Sequence, residues 1–278
     1  MWIICYKCVD IHKFTRGKCG YLMENSKKIN MLKSAVMKVI TKGMGILWIS
    51  CTILLFYPQY MCKSCEILVD KKIDISEKSV DKDLDYLKED IKIPVFINGN
   101  NENSVENINN NINSDIMNRV VEAEKAAKDE FGNINEKPTF PYEIKSFYTV
   151  TEKNDSIISL YNDYYEYLGG AHGSTIRNGY TIDRNDEKIV VLKDLFLEGY
   201  DYKGIINKNI REGIRKEPDK YFYSPENFKG IPDSQGFYIN DGNLIIFFNQ
   251  YEIAPYVAGI PEFKIPIKEF GKNFIYSI

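Results

Sequence analysis

Past residue 65 the chain has no cysteine at all, and past residue 12 it has one histidine, His172. The first absence excludes a disulfide-stapled scaffold for most of the molecule, which must be held by its core. The second leaves no Asp/His ligand cluster for a metal-dependent hydrolase. The chain also lacks a Gly-x-Ser-x-Gly elbow and a phosphate-cradling Gly-Lys-Ser/Thr loop, so serine hydrolysis and nucleotide hydrolysis have no footing. No internal repeat and no Pro-rich linker divides the 278 residues. Nothing in the pattern calls for a cofactor or for nucleic acid, and the reading is of a protein that is not an enzyme.

What is present is an asymmetry of charge. Residues 1–43 hold nine basic and two acidic side chains, a net +7, whereas the remaining 235 residues hold 27 basic and 37 acidic, a net −10. Between the blocks, residues 44–61 carry no charged side chain. Eighteen uncharged residues approach the length of a bilayer-crossing helix, and basic flanks stay in the cytoplasm. Residues 1–43 are therefore expected to be a basic cytoplasmic segment. Residues 44–61 would be a single-pass membrane anchor or a signal sequence, with the C-terminal part outside the cell. No Ala-x-Ala cleavage site follows, which favours an uncleaved anchor. All six cysteines (Cys5, Cys8, Cys19, Cys51, Cys62, Cys65) lie in this leading part. Cys5-x2-Cys8-x3-His12 has zinc-ligand types, and a start at Met23 or Met31 would make it non-native.

Beyond the anchor the pattern is α+β, mainly antiparallel strands with two substantial helices. Apolar runs at 66–75 and 84–97 suit strands. Val105, Ile108, Ile112, Ile116 and Val120 recur at spacings of three and four, which predicts a helix over 104–131, capped by Ser104 and stopped at Gly132. Strand-like runs at 142–151 and 156–168 form a hairpin, and 176–183 with 189–192 form a second pair. A helix is expected over 202–216. A hairpin turns on Asn240-Asp241-Gly242-Asn243, and a last strand covers 263–267. In the second run Asp163 and Glu166 fall on opposite faces, a poor arrangement for a carboxylate pair, and both read as solvated.

Three segments carry a family resemblance: Tyr167-Leu168-Gly169-Gly170-Ala171-His172-Gly173, Val191-Leu192-Lys193-Asp194-Leu195-Phe196, and the aromatic- and Pro-rich run from Tyr251 through Pro255, Tyr256 and Pro261 to Phe263. In order and spacing they resemble the paired extracytoplasmic domains of RsiV-type anti-sigma factors, a pair found also beside the catalytic domain of PdaC-type peptidoglycan deacetylases. The resemblance spans roughly residues 65–270. It implies a first domain over 65–170 and a second over 171–278. It also implies lysozyme, or another envelope protein or glycan, as ligand, and an extracytoplasmic-function sigma factor as cytoplasmic partner. On the residues themselves, Gly169 and Gly170 suit a sharp turn, and Asp194 suits a cap for the turn holding Leu195 and Phe196. The candidate ligand-binding residues are Tyr167, Gly169, Gly170, His172, Tyr251, Pro255 and Tyr256. The alternative is a cell-wall-associated module that binds peptidoglycan or a wall protein and has no role in transcription.

Overall fold

A computed structural model describes residues 71–131 and 138–277. The basic leader, the uncharged run at 44–61, all six cysteines and the expected helix stop at Gly132 lie outside the described residues. Among those described, no helix is long and apolar enough to cross a membrane. Residues Asp70–Ile278 form one compact unit.

Six strands form one sheet in sequence order: β1 (Asp74–Asp83), β2 (Leu87–Ile97), β3 (Tyr142–Lys153), β4 (Ile157–Tyr167), β5 (Ser174–Asp183) and β6 (Lys188–Ile189). Every neighbouring pair is antiparallel except β2 and β3. A parallel pair needs a crossover, and helix α1 (Glu102–Phe131) supplies it. The three-four spacing puts Ile108, Ile112, Ile116 and Val120 on the helix face that packs on the sheet, and Ala123 and Ala127 extend the stripe. They meet Leu87, Ile91, Ile93, Ile144, Leu160 and Tyr164, all buried.

Two expected boundaries move. The first strand begins at Asp74 and runs through Asp81, Lys82 and Asp83, so of the expected run at 66–75 only Asp74 and Ile75 belong to it, 71–73 precede it, and 66–70 lie outside the described residues. β1 is the outer strand of the sheet, where exposed charges oppose edge-to-edge pairing. Helix α1 is capped by Asn101, whose Oδ1 accepts from Asn103 N at 3.1 Å and Ser104 N at 3.2 Å, and not by Ser104. Asn was the better cap because its side chain reaches both free amides of the first turn.

The described residues after β6 cover the opposite face of the sheet. Helix α2 (Tyr202–Lys216) starts at Asp201, whose side chain accepts from Gly204 N, and buries Ile206, Ile210 and Ile214. Strands β7 (Phe237–Asn240), β8 (Asn243–Phe247) and β9 (Glu262–Pro266) make a three-stranded antiparallel sheet. Asp241 and Gly242, both at positive φ, form the expected two-residue turn between β7 and β8. Strand β7 crosses β3, β4 and β5 at close quarters: a Cβ on Gly179 would lie 2.0 Å from the Phe237 carbonyl oxygen. Here the seam is polar. Ile239 N donates to Ser159 Oγ at 2.9 Å, and Thr151, set off by a bulge in β3, donates to the Ile239 carbonyl at 2.6 Å.

This second layer overturns the solvated reading of Asp163. It is 7% exposed and holds Arg177 through two 2.6 Å bonds, to Nε and Nη2. Arg177 also meets Glu262 of β9 and lies 3.8 Å over the Tyr161 ring. Asp194 is not a cap either. Residues Leu192–Leu195 form a 3-10 turn closed by backbone bonds, with no side chain capping its start.

Candidate functional site

The Gly-Gly loop leaves β4 with Gly169 and Gly170 both at φ +88°, a conformation that side-chain-bearing residues resist. Nothing lies within 4 Å of a Cβ built on Gly170, so the backbone conformation and not crowding requires glycine. Tyr167 Oη donates to the Gly170 carbonyl at 3.1 Å and closes the loop. His172 then donates from Nδ1 to the Gly173 carbonyl at 2.9 Å, which holds its ring outward.

The second loop, between β8 and β9, is partly core and partly display. Ile253 and Ala254 are buried, and the Ile253 carbonyl accepts from Phe222 N at 2.9 Å. On either side the chain turns out. Tyr251 is 56% exposed and sits at φ +67°, a strained setting for a tyrosine. Pro255 precedes a 3-10 turn of Tyr256–Ala258, in which Val257 is 91% exposed.

The fold brings both loops together. His172 stacks on Tyr256 with ring centroids 3.9 Å apart and planes 20° apart. Tyr251 flanks Tyr256 at 6.1 Å. They meet because β5, which leaves the first loop, is tied to the second: Asn249 Oδ1 accepts from Arg177 N at 2.7 Å, and Gln250 Oε1 from Thr175 N at 2.9 Å. A groove of about 480 Å³ opens beside the stack, lined by Lys88, Phe140, Pro141, Glu143, Tyr165, Tyr167, His172 and Tyr256. Lys145 Nζ lies 2.6 Å from Glu143 Oε1, and this carboxylate holds the ammonium above its ordinary pKa. Burial first, and then the Glu143 charge, raise the Tyr165 phenol, which stays neutral and able to donate.

Of the residues singled out from sequence, His172, Tyr251 and Tyr256 form one aromatic platform and Tyr167 lines the groove beside it. Gly169, Gly170 and Pro255 shape the loops that carry it. Phe140, 70% exposed at the groove's rim, and Val257 were not foreseen. Phe140 had a signal, since it lies between Pro138 and Pro141 in a stretch that cannot pair fully as strand. Asp163 is committed to Arg177, and Glu166 lies at the ladder position opposite Ile144 and Ser174. Among the described residues no group of three or more His, Cys, Asp or Glu side chains is placed to hold a metal.

The architecture is of the α+β class, with a helix on one face of the larger sheet and a small second sheet on the other. Residues 80–175 match the family described as deacetylase PdaC, and residues 193–268 match a family of unknown function, DUF3298. Over 95 residues the chain is 37% identical to the anti-sigma-V factor RsiV of Bacillus subtilis, a match that covers 31% of this chain and only 33% of that relative's length. A DUF3298 family member from Bacteroides fragilis shares the fold, with a TM-score of 0.56 at 17% identity over 75% of this chain and 95% of that one. A second, from Pseudomonas aeruginosa, is 15% identical over 72% of this chain and 93% of that one, with a TM-score of 0.49. Together the two matched segments, 80–175 and 193–268, and the likeness to RsiV support an RsiV-type ectodomain.

Proposed function

We propose that the chain is a membrane-anchored sensor of the anti-sigma factor class, whose domain pair binds lysozyme or another basic envelope protein outside the cell. In this reading residues 44–61 anchor it and residues 1–43 engage a sigma factor in the cytoplasm. The observation that carries the reading is the platform: His172 and Tyr256, from two segments about 80 residues apart, stack at 3.9 Å and present their rings beside exposed Tyr251 and Val257. Rigid aromatic rings that lose little freedom on docking are the usual anchors of protein interfaces. The net −10 of the residues beyond the leader favours a basic partner and speeds its approach. The domain pair acts in this role by binding, with no chemistry of its own.

The test is retention of the purified chain on immobilised lysozyme at low salt. Tyr251→Ala combined with Tyr256→Ala is expected to weaken binding by about thirtyfold, the effect of losing one interface hot spot. The thermal melt should barely move, because both rings are partly exposed. No retention of the unsubstituted chain would overturn the lysozyme reading. Retention on purified peptidoglycan instead would support a wall-associated module, to which a groove lined by aromatic rings is also suited.

A further inference from the structure

Strand β5 has one edge that β4 does not cover, and its odd-numbered residues turn their amide groups that way. Thr175 N and Arg177 N donate to the side chains of Gln250 and Asn249, and Asn249 Nδ2 donates back to the Arg177 carbonyl at 3.3 Å. These two side chains stand where the backbone of a neighbouring strand would. Further along, Val190 N donates to the Thr181 carbonyl at 2.8 Å, and β6 pairs with Ile182 and Asp183. Gly179 falls between the two covered stretches. By the alternation of an antiparallel pair, it directs its N–H and C=O to the same open edge. A cleft of about 450 Å³ opens there, lined by Asp115, Asn178, Ser234, Gln235 and Glu252 among others.

We propose that this cleft takes up a short extended stretch of a basic protein partner, whose central residue pairs with Gly179 through both backbone groups. Adding a strand to an open sheet edge is a general mode of peptide recognition. The covered stretches set the length. Arg177 and Thr181 are four residues apart, about 13 Å at the rise of a strand, which is room for about three residues of the partner. Residues opposite each other across a ladder point to the same sheet face. The two neighbours of the central residue therefore point to the α1 face, where Asp115 lies and accepts from Tyr180 Oη at 2.9 Å.

Charge chooses the partner. The Arg177 guanidinium is already held by Asp163 and Glu262, and Arg119, one turn beyond Asp115, is directed to the Tyr164 ring. Asp115 and Glu252 have no ion-pair partner among the described residues. A lysine or arginine beside the pairing residue, directed to the α1 face, would find the Asp115 carboxylate there. This site is separate from the aromatic platform and does not depend on it.

The experiment uses the full chain and the labelled peptide acetyl-Lys-Val-Lys-amide, with binding read by fluorescence anisotropy. The peptide is expected to bind and to slow hydrogen exchange at the Gly179 amide. N-methylation of the valine removes the donor to the Gly179 carbonyl and should weaken binding about fivefold or more. Replacing both lysines by glutamate should weaken it further, and Asp115→Asn, which still accepts from Tyr180, should weaken it several-fold, about as expected for one lost charge-assisted contact. Equal binding of the N-methylated peptide overturns the proposal. So does a Gly179 amide already slow to exchange without peptide, which would mean that the chain's own segment fills the edge. The Tyr251→Ala, Tyr256→Ala variant should bind this peptide as the unsubstituted chain does, so failure here and failure of the lysozyme reading are told apart.

Discussion

The two layers that sandwich the six-stranded sheet bury their residues in different ways. On one side a single thirty-residue helix, α1, lies along the strands, and the interface is aliphatic: Ile91, Ile93, Ile112, Ile116, Ile144 and Leu160 are all fully buried. On the other side the strands are only four or five residues long, and rings fill the space between them. Phe196 stacks on Tyr202 at 4.8 Å, meets Phe270 at 4.9 Å and takes Phe274 edge-on at 5.8 Å. Long regular elements offer a continuous apolar stripe that branched side chains can tile. Short elements joined by loops leave wide, irregular gaps, which planar rings span with few rotatable bonds. Strand β7 is joined to the sheet by Ile157, which packs with Phe237 and Ile239, by Tyr161 against Tyr238, and by the polar seam of Ser159, Thr151 and Ile239, with Arg177 beside it.

That seam is where the comparison breaks most easily. Arg177→Met leaves the Asp163 carboxylate buried without a cation and is expected to cost about 3–5 kcal/mol in urea denaturation. Adding Asp163→Leu should recover most of the loss, because a buried pair replaced by apolar groups is often close to neutral. A single Arg177→Met loss within experimental error would show that the ion pair is not what binds β9 to the sheet.

A smaller effect separates the aliphatic side alone. Glu89 sits in the α1-facing layer with its side chain fully buried and Lys82 Nζ 3.3 Å away. Burial, the largest cause, raises its pKa above the ordinary 4.5. The folded state then keeps this proton to higher pH than the unfolded chain does. Stability from this group is full below about pH 4.5 and is lost as pH rises through the raised folded value. Denaturation midpoints of Glu89→Gln, measured from pH 4 to pH 7, should lack this decline. An unchanged pH profile would count against it.

The smallest effect belongs to the aromatic side. Tyr251→Gly relieves a left-handed backbone worth about 1 kcal/mol but gives up the contact with Tyr256. The expected net is a gain of under about 1 kcal/mol in thermal or urea unfolding, together with weaker ligand retention. A clear loss of stability would place the Tyr251 ring among the groups that hold the loop.

Much of the fold was legible in the residues for identifiable reasons. Helix α1 announced itself by its isoleucine spacing despite an asparagine-rich surface, and the β7–β8 hairpin by Asp241-Gly242. Strand β1 was misplaced because an outer strand needs little apolar alternation, and only Ile75 and Val80 mark it. Asp163 was misread for a related cause. Period-two alternation tells which face a side chain takes, but not whether another layer covers that face. The two motif loops could be named singly, yet nothing local says that they touch. Their meeting depends on Asn249 and Gln250 reaching Arg177 and Thr175, contacts 72 and 75 residues apart in the chain.

Those two contacts also decide where a pull on the platform is felt. The loop that carries Tyr256 is fastened by Asn249 and Gln250 to β5, and β5 is laddered along its whole length to β4, a central strand of the sheet. Tension from a bound partner is therefore shared between β8 and β9, which the loop joins, and β5, to which it is tied, so that the six-stranded sheet takes part of the load. Mechanically, the platform is a handle bolted to the frame.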